Sequence, residues 1–219
     1  MKESEIRQKI IALCKQMNQT GLNQGTSGNI SAIHENTMLI TPSGVPYDDM
    51  QPDQIARMSL VAGDDSWEGP LRPSSEWHFH KSILMSNPFF GAVVHTHSTF
   101  ATILSIARKP IPSCHYMVAA FGGNNVRCAG YATFGTEELS QQILKAMEGR
   151  SACLMANHGM VVAGSNLEKA MWAAVELETL AKQYYHACQQ DSIVLLPDSE
   201  MEIIVEKFKT YGLKFSEKS

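Results

Sequence analysis

Hydrophobic positions recur along the chain with two periods. Between residues 3 and 20, Ile6, Ile10, Leu13, Cys14 and Met17 fall mostly three or four apart, the stripe of an amphipathic helix. Three glycines between Gly21 and Gly28 break it, and residues 29–33 and 37–40 then read as two strands of a hairpin around 34–36. Residues 41–47 (TPSGVPY) form a turn-rich loop, 51–58 predict a short helix, and 59–68 a strand and turn. After Pro73-Ser74-Ser75, where a serine can cap, a helix runs from Glu76 to about Met85. The apolar, β-branched run Phe89–His97 predicts a buried strand, and a helix over 99–106 follows directly. Residues 117–123 are apolar and end on glycine, 126–129 predict a short strand, and 135–147 a helix. Strands at 152–156 and 160–163 flank Asn157-His158-Gly159. Helices over 167–190 and 198–211 close the series. Strands and helices alternate without repeat or linker, so the expected fold is α/β, one layered domain over residues 1–219.

Composition narrows the partners. The 219 residues are 44% hydrophobic and 18% charged, with a formal net charge of -4 and no basic stripe, so nucleic acid is not an expected partner. An anionic substrate would have to be held locally, by backbone N–H groups, hydroxyls or a metal. No stretch approaches the length of a membrane span. The opening MKESEIRQKIIALCKQM mixes charged and apolar residues at helical spacing, and reads as mature structure and not as a signal peptide. The five cysteines are scattered without a C-x-x-C pair, so a reducing cytoplasm is the expected compartment.

His95-Thr96-His97 is the first candidate for chemistry. Alternate residues of a strand share a face, so two imidazoles at this spacing can grip one ion. The competing reading is two polar residues on a half-exposed strand. His158, in the tight turn before Gly159, supplies a third imidazole, with Gly159 expected to permit an unusual backbone angle. Three histidines with an open position make a typical catalytic zinc shell. Glu76, in the first helical turn after two serines, is either the base such an enzyme needs or a complement to the helix dipole. His78 and His80 do not make a second H-x-H site, because residues two apart on a helix point away from each other. The segments 25–29, 41–44 and 74–75 offer hydroxyls and backbone amides without a lysine, a neutral nest for phosphate; each alone is simply a turn.

Several stretches taken together carry a resemblance: GLNQGTSGN (21–29), LITPSGVPY (39–47), PSSEW (73–77), AVVHTH (92–97), HYMVAAFGGN (115–124), GYATFGTEEL (130–139), NHG (157–159) and EKFKTYGL (206–213). On these the chain resembles the class II aldolase and adducin family, nearly end to end. The resemblance implies a central, mostly antiparallel sheet flanked by helices. It implies one zinc ion per subunit on His95, His97 and His158, with Glu76 near or on the metal at rest and serving as acid/base. Gly28, Asn29, Ser43, Gly44, Ser74 and Ser75 would hold the substrate phosphate. Tyr116 would act at a subunit boundary and Tyr211 on a tail that closes over the site, in a homotetramer with active sites between neighbours. The implied reaction is reversible cleavage of L-fuculose 1-phosphate, or a similar ketose 1-phosphate, to dihydroxyacetone phosphate and L-lactaldehyde or a similar aldehyde, through a metal-stabilised enediolate.

Rival readings share the residues. A 5-deoxypentulose-1-phosphate aldolase differs only in its aldehyde pocket. A pentulose-phosphate 4-epimerase, a decarboxylase or a methylthioribulose-phosphate dehydratase uses the same histidines, whereas Glu76 with HYM…GGN favours the aldolase. A non-enzymatic module of the adducin kind would not need the histidine set, and a zinc hydrolase would use the same ligands with a water nucleophile, but its H-E-x-x-H motif is absent.

Overall fold

The computed structural model describes residues 1–210. An eight-stranded sheet runs in the order β4-β3-β2-β1-β5-β8-β7-β6, built from β1 (Asn29–His34), β2 (Thr37–Ile40), β3 (Ala56–Ser59), β4 (Trp67–Glu68), β5 (Ala92–Thr96), β6 (Cys128–Ala129), β7 (Ala152–Met155) and β8 (Gly159–Gly164). Among the described residues only β6–β7 is parallel; the other ladders are antiparallel. The expected α/β sheet, mostly antiparallel and flanked by helices, is the fold observed.

Period-2 alternation divides the core. Val94, Ile30 and Val162 belong to one apolar cluster with Ile10, Met17 and Leu177. Val93, Val161 and Met38 belong to the other, with Phe79, Ile83 and Ile143. The first cluster is closed by α1 (Glu3–Gln19), α3 (Thr99–Ile106), α5 (Leu167–Ala187) and α6 (Asp198–Thr210). The second is closed by α2 (Trp77–Ser86) and α4 (Glu137–Ala146). Helices on both faces let strands such as β5 be buried throughout. Among the described residues no helix is long and apolar enough to cross a membrane.

Three local expectations are corrected. The helix predicted over 51–58 is a single 3-10 turn, Pro52–Gln54, followed by strand β3. Ala56 and Met58 are buried while Arg57 and Ser59 are less so, a strand alternation satisfied by pairing with β2. The strand expected from Phe89 begins at Ala92, because Asn87–Phe90 closes a turn and leaves Phe89 81% exposed. The apolar run 117–123 is a 3-10 helix, Tyr116–Phe121, ending on left-handed Gly122.

Candidate active site

β5 delivers the first two imidazoles. In the register Asn29 faces His95 and Ser31 faces Val93, so His95 follows Val93 on the face that α2 covers. His95 is fully buried and meets Phe79 of α2 edge-on. His97 lies one residue beyond the strand, where the chain turns into α3. That turn is held from behind: Glu178 of α5 accepts from the backbone N–H of Phe100 and Ala101 at 2.8 and 2.9 Å. His158 comes from the β7–β8 turn. There the left-handed residue is Asn157 (φ 55°), not Gly159 as expected. Gly159 is needed for space, since a Cβ on it would lie 2.4 Å from the Thr96 carbonyl oxygen and 3.1 Å from the His97 ring.

Glu76 is the residue immediately before α2, and Ser74 serves it by accepting from its backbone N–H at 3.3 Å. Its carboxylate does not cap the helix. It turns inward, 3.1 Å from His158 Nε2 and 3.3 Å from His95 Nε2, and accepts from Asn29 Nδ2 at 2.8 Å. Burial alone would raise its pKa; His95, His158 and the Asn29 amide outweigh burial and hold the carboxyl below the usual range. Burial is also the main reason that the pKa of His95 is pushed down to about 4 and that of His97 is lowered. Burial thus favours the neutral imidazole, the form that binds metal.

These residues fit a divalent ion. One ligand atom each from His95, His97 and His158 lies within 4.8 Å of the others. Nδ1 of His95 donates to the Met160 carbonyl oxygen at 2.8 Å, which leaves the lone pair on Nε2. His95 Nε2, His97 Nε2 and Glu76 Oε1 are all buried without a hydrogen-bond partner. Leaving three such groups unsatisfied is costly, and a metal would satisfy them.

A cavity of about 440 Å³ opens beside this cluster. Glu76, His97 and His158 line it, and so do all six residues expected to hold phosphate: Gly28, Asn29, Ser43, Gly44, Ser74 and Ser75. Two loops are tied to form its wall, Ser43 N donating to the Arg72 carbonyl and Ser74 N to that of Thr41 at 2.9 Å. The glycine loop is fixed to the metal-ligand candidates by Asn23, which accepts from His97 N at 3.3 Å, and by Tyr47, whose hydroxyl donates to the Gly28 carbonyl. Gly28 itself admits no side chain, since a Cβ would stand 2.8 Å from the His95 carbonyl oxygen. The Asn29 amide is engaged by Glu76 and His80. Thr26, Tyr131 and Phe134 also line the cavity. The last two were not anticipated; aromatic side chains exposed on the 130–135 turn were their only signal.

Tyr116 is elsewhere. It is 51% exposed, borders an apolar depression with Ile204 and Phe208, and does not line the cavity of its own chain. Tyr211 lies outside the described residues. His78 stacks on Trp77, and His80 is buried beneath Asn29, so the two do not form a metal site.

Comparison with known proteins agrees with this geometry. Residues 8–185 match the family "Class II Aldolase and Adducin N-terminal domain". A 5-methylthioribulose-1-phosphate/5-deoxyribulose-1-phosphate aldolase of Rhodospirillum rubrum is 49% identical over 207 residues, 94% of this chain and 92% of that protein. An L-fuculose phosphate aldolase of Escherichia coli O6:H1 is 44% identical over 99% of this chain and all of its own. A solved L-fuculose 1-phosphate aldolase superposes with a TM-score of 0.90 at 41% identity, over 95% of this chain and 98% of the other. The chain belongs to the class II aldolase and adducin family, and is an aldehyde-lyase of it. Class II aldolases are metal-dependent, and the three-histidine group is where this chain could hold its ion.

Proposed function

We propose that this class II aldolase reversibly cleaves a ketose 1-phosphate to dihydroxyacetone phosphate and a short aldehyde, with L-fuculose 1-phosphate and L-lactaldehyde as the first candidates. One observation carries the reading. His95 Nε2, His97 Nε2 and Glu76 Oε1, each buried without a hydrogen-bond partner, converge beside a cavity rich in hydroxyls and glycine backbone. No lysine lines that cavity among the described residues, so the residues favour metal chemistry over a Schiff base.

His95, His97 and His158 would hold zinc, the usual occupant of a three-histidine shell, with Glu76 beside it at rest. When bound, the ion supplies Lewis acidity that stabilises the negative charge developing as the carbon–carbon bond breaks. Glu76 takes a proton from the carbon beside the carbonyl of dihydroxyacetone phosphate in the condensing direction, and returns it in cleavage. Gly28, Asn29, Ser43, Gly44, Ser74 and Ser75 hold the phosphate and so fix the reacting carbons against Glu76. Tyr116, exposed and outside the lining of its own cavity, would serve a neighbouring subunit in a homotetramer with shared active sites, protonating the aldehyde side. Tyr211 would close over the site from the C-terminal segment. Five free cysteines suit a reducing cytoplasm.

The 49% identity to the Rhodospirillum rubrum protein favours a second reading, cleavage of a 5-deoxy- or 5-methylthio-pentulose 1-phosphate. The two differ at the aldehyde end, where one small group is worth ~1–3 kcal/mol. Cleavage of a panel of ketose 1-phosphates decides between them by the ratio of kcat/KM values. Release of inorganic phosphate in place of dihydroxyacetone phosphate would contradict both.

A further inference from the structure

His80 has no part in the chemistry above, yet it is fully buried and both ring nitrogens are engaged. Its partners lie on one strand. Nε2 meets Asn29 Oδ1, and Nδ1 meets Ser31 Oγ at 2.7 Å. Asn29 and Ser31 are two apart on β1 and share the face that α2 covers, while Glu76 and His80 are four apart and share one side of a helical turn. The strand period and the helix period therefore mesh at two points, Asn29 with Glu76 and Ser31 with His80.

The polarity of the chain is fixed from one end. An ionised carboxylate can only accept, so the Asn29 amide must donate to Glu76 through Nδ2, as it does at 2.8 Å. Its oxygen then faces His80 Nε2, which must donate. Nδ1 is left as the acceptor for the Ser31 hydroxyl. Every donation runs the same way, from Ser31 through His80 and Asn29 to Glu76, so each bond polarises the next. No backbone group intervenes.

We propose that His80 is a positioning residue for Glu76: with Ser31 behind it, it orients the Asn29 amide and thereby aims the carboxylate at the substrate carbon. The proposal rests on Glu76 as the acid/base. Its role is geometric, so it governs turnover and not substrate affinity or metal loading.

The test compares His80→Leu, His80→Gln and Glu76→Gln in the zinc-loaded enzyme, with kcat, KM and bound zinc per chain measured on each. Leucine fills the space and removes both bonds; glutamine offers an N–H donor and an oxygen acceptor at about the same reach. His80→Leu lowers kcat by about 10- to 100-fold, as loss of an orienting partner does, while KM and bound zinc stay at wild-type values. His80→Gln regains most of that loss. Adding His80→Leu to Glu76→Gln lowers kcat no further. Wild-type kcat in His80→Leu, or a loss that tracks zinc content and is not regained by glutamine, overturns the proposal. If His80→Leu is too unstable to assay, Ser31→Ala carries the test: kcat falls several-fold at unchanged KM, and a wild-type kcat overturns it. Full activity in Glu76→Gln would instead overturn the assignment of the base, a distinct outcome.

Discussion

His95 donates from Nδ1 to the carbonyl oxygen of Met160 at 2.8 Å, so the β5–β8 pairing that builds the sheet also sets the tautomer of a buried imidazole. The free lone pair points at Glu76 and toward the other two histidines. Folded protein thus offers a preformed site that the unfolded chain lacks, and metal should stabilise the fold. Zinc at a hundred times its dissociation constant should add about 2.7 kcal/mol. Thermal unfolding checks this: a chelator lowers Tm, added zinc restores it, and His97→Ala abolishes the difference. A Tm indifferent to chelation would contradict the metal site.

Acid should unfold the protein partly through His80. Burial is the main cause that pushes its pKa from 6.5 down to about 3. Between those values the unfolded chain binds one more proton than the folded one. Stability from this group is therefore complete above about pH 6.5 and falls with pH toward about 3, by up to about 1.4 kcal/mol per unit. Urea unfolding of wild type and His80→Gln across pH 4–7 measures it. The wild-type slope should be steeper by close to one proton; parallel slopes would contradict a neutral buried His80.

Gly159→Ala should damage the site without touching a ligand. The new methyl carbon would sit 2.4 Å from the Thr96 carbonyl oxygen and 3.1 Å from the His97 ring, where β8 passes the end of β5. Backbone cannot yield as a side-chain tip can, so a cost of about 1–3 kcal/mol is expected, together with weaker zinc binding. Denaturant midpoint and metal titration check both. By contrast, alanine at Ser165, an exposed loop position, should leave both unchanged.

Tyr116 and Glu76 should complement each other across chains. Neither Glu76→Gln nor Tyr116→Phe alone should turn over well. If Tyr116 serves a neighbour, subunits mixed after mild dissociation should recover activity, because some sites then hold wild-type Glu76 and a neighbour's wild-type Tyr116. Activity of the mixture equal to the mean of the two parents would show that Tyr116 does not act across a boundary.

The three histidines, Glu76 and the glycine- and serine-bearing loops stand out in the sequence, and the structure brings them together, because they lie at element ends. His95-Thr96-His97 closes an apolar run, His158 occupies a turn between two strands, and the glycine- and serine-bearing loops carry their turn chemistry openly. The orientation of Glu76 was open between dipole partner and base, since only the fold reveals that its carboxylate turns toward His95 and His158. The engagement of Asn29 and His80 was not legible at all. It depends on contacts 47 and 51 residues apart in the chain. Residues 56–58 read as helix because so short a segment cannot distinguish a helix from a strand without the partner, β2, that decides it. Tyr131 and Phe134 were passed over because exposed aromatics acquire meaning only beside a cavity.

The most direct test of the account is release of dihydroxyacetone phosphate from L-fuculose 1-phosphate and from 5-deoxypentulose 1-phosphates by zinc-loaded protein, chelated protein and Glu76→Gln. Cleavage that is lost on chelation, restored by zinc and at least about a hundredfold slower in Glu76→Gln is the predicted result. Folded, zinc-loaded protein that releases no dihydroxyacetone phosphate from any of these substrates, or cleavage indifferent to chelator and to Glu76, would contradict it.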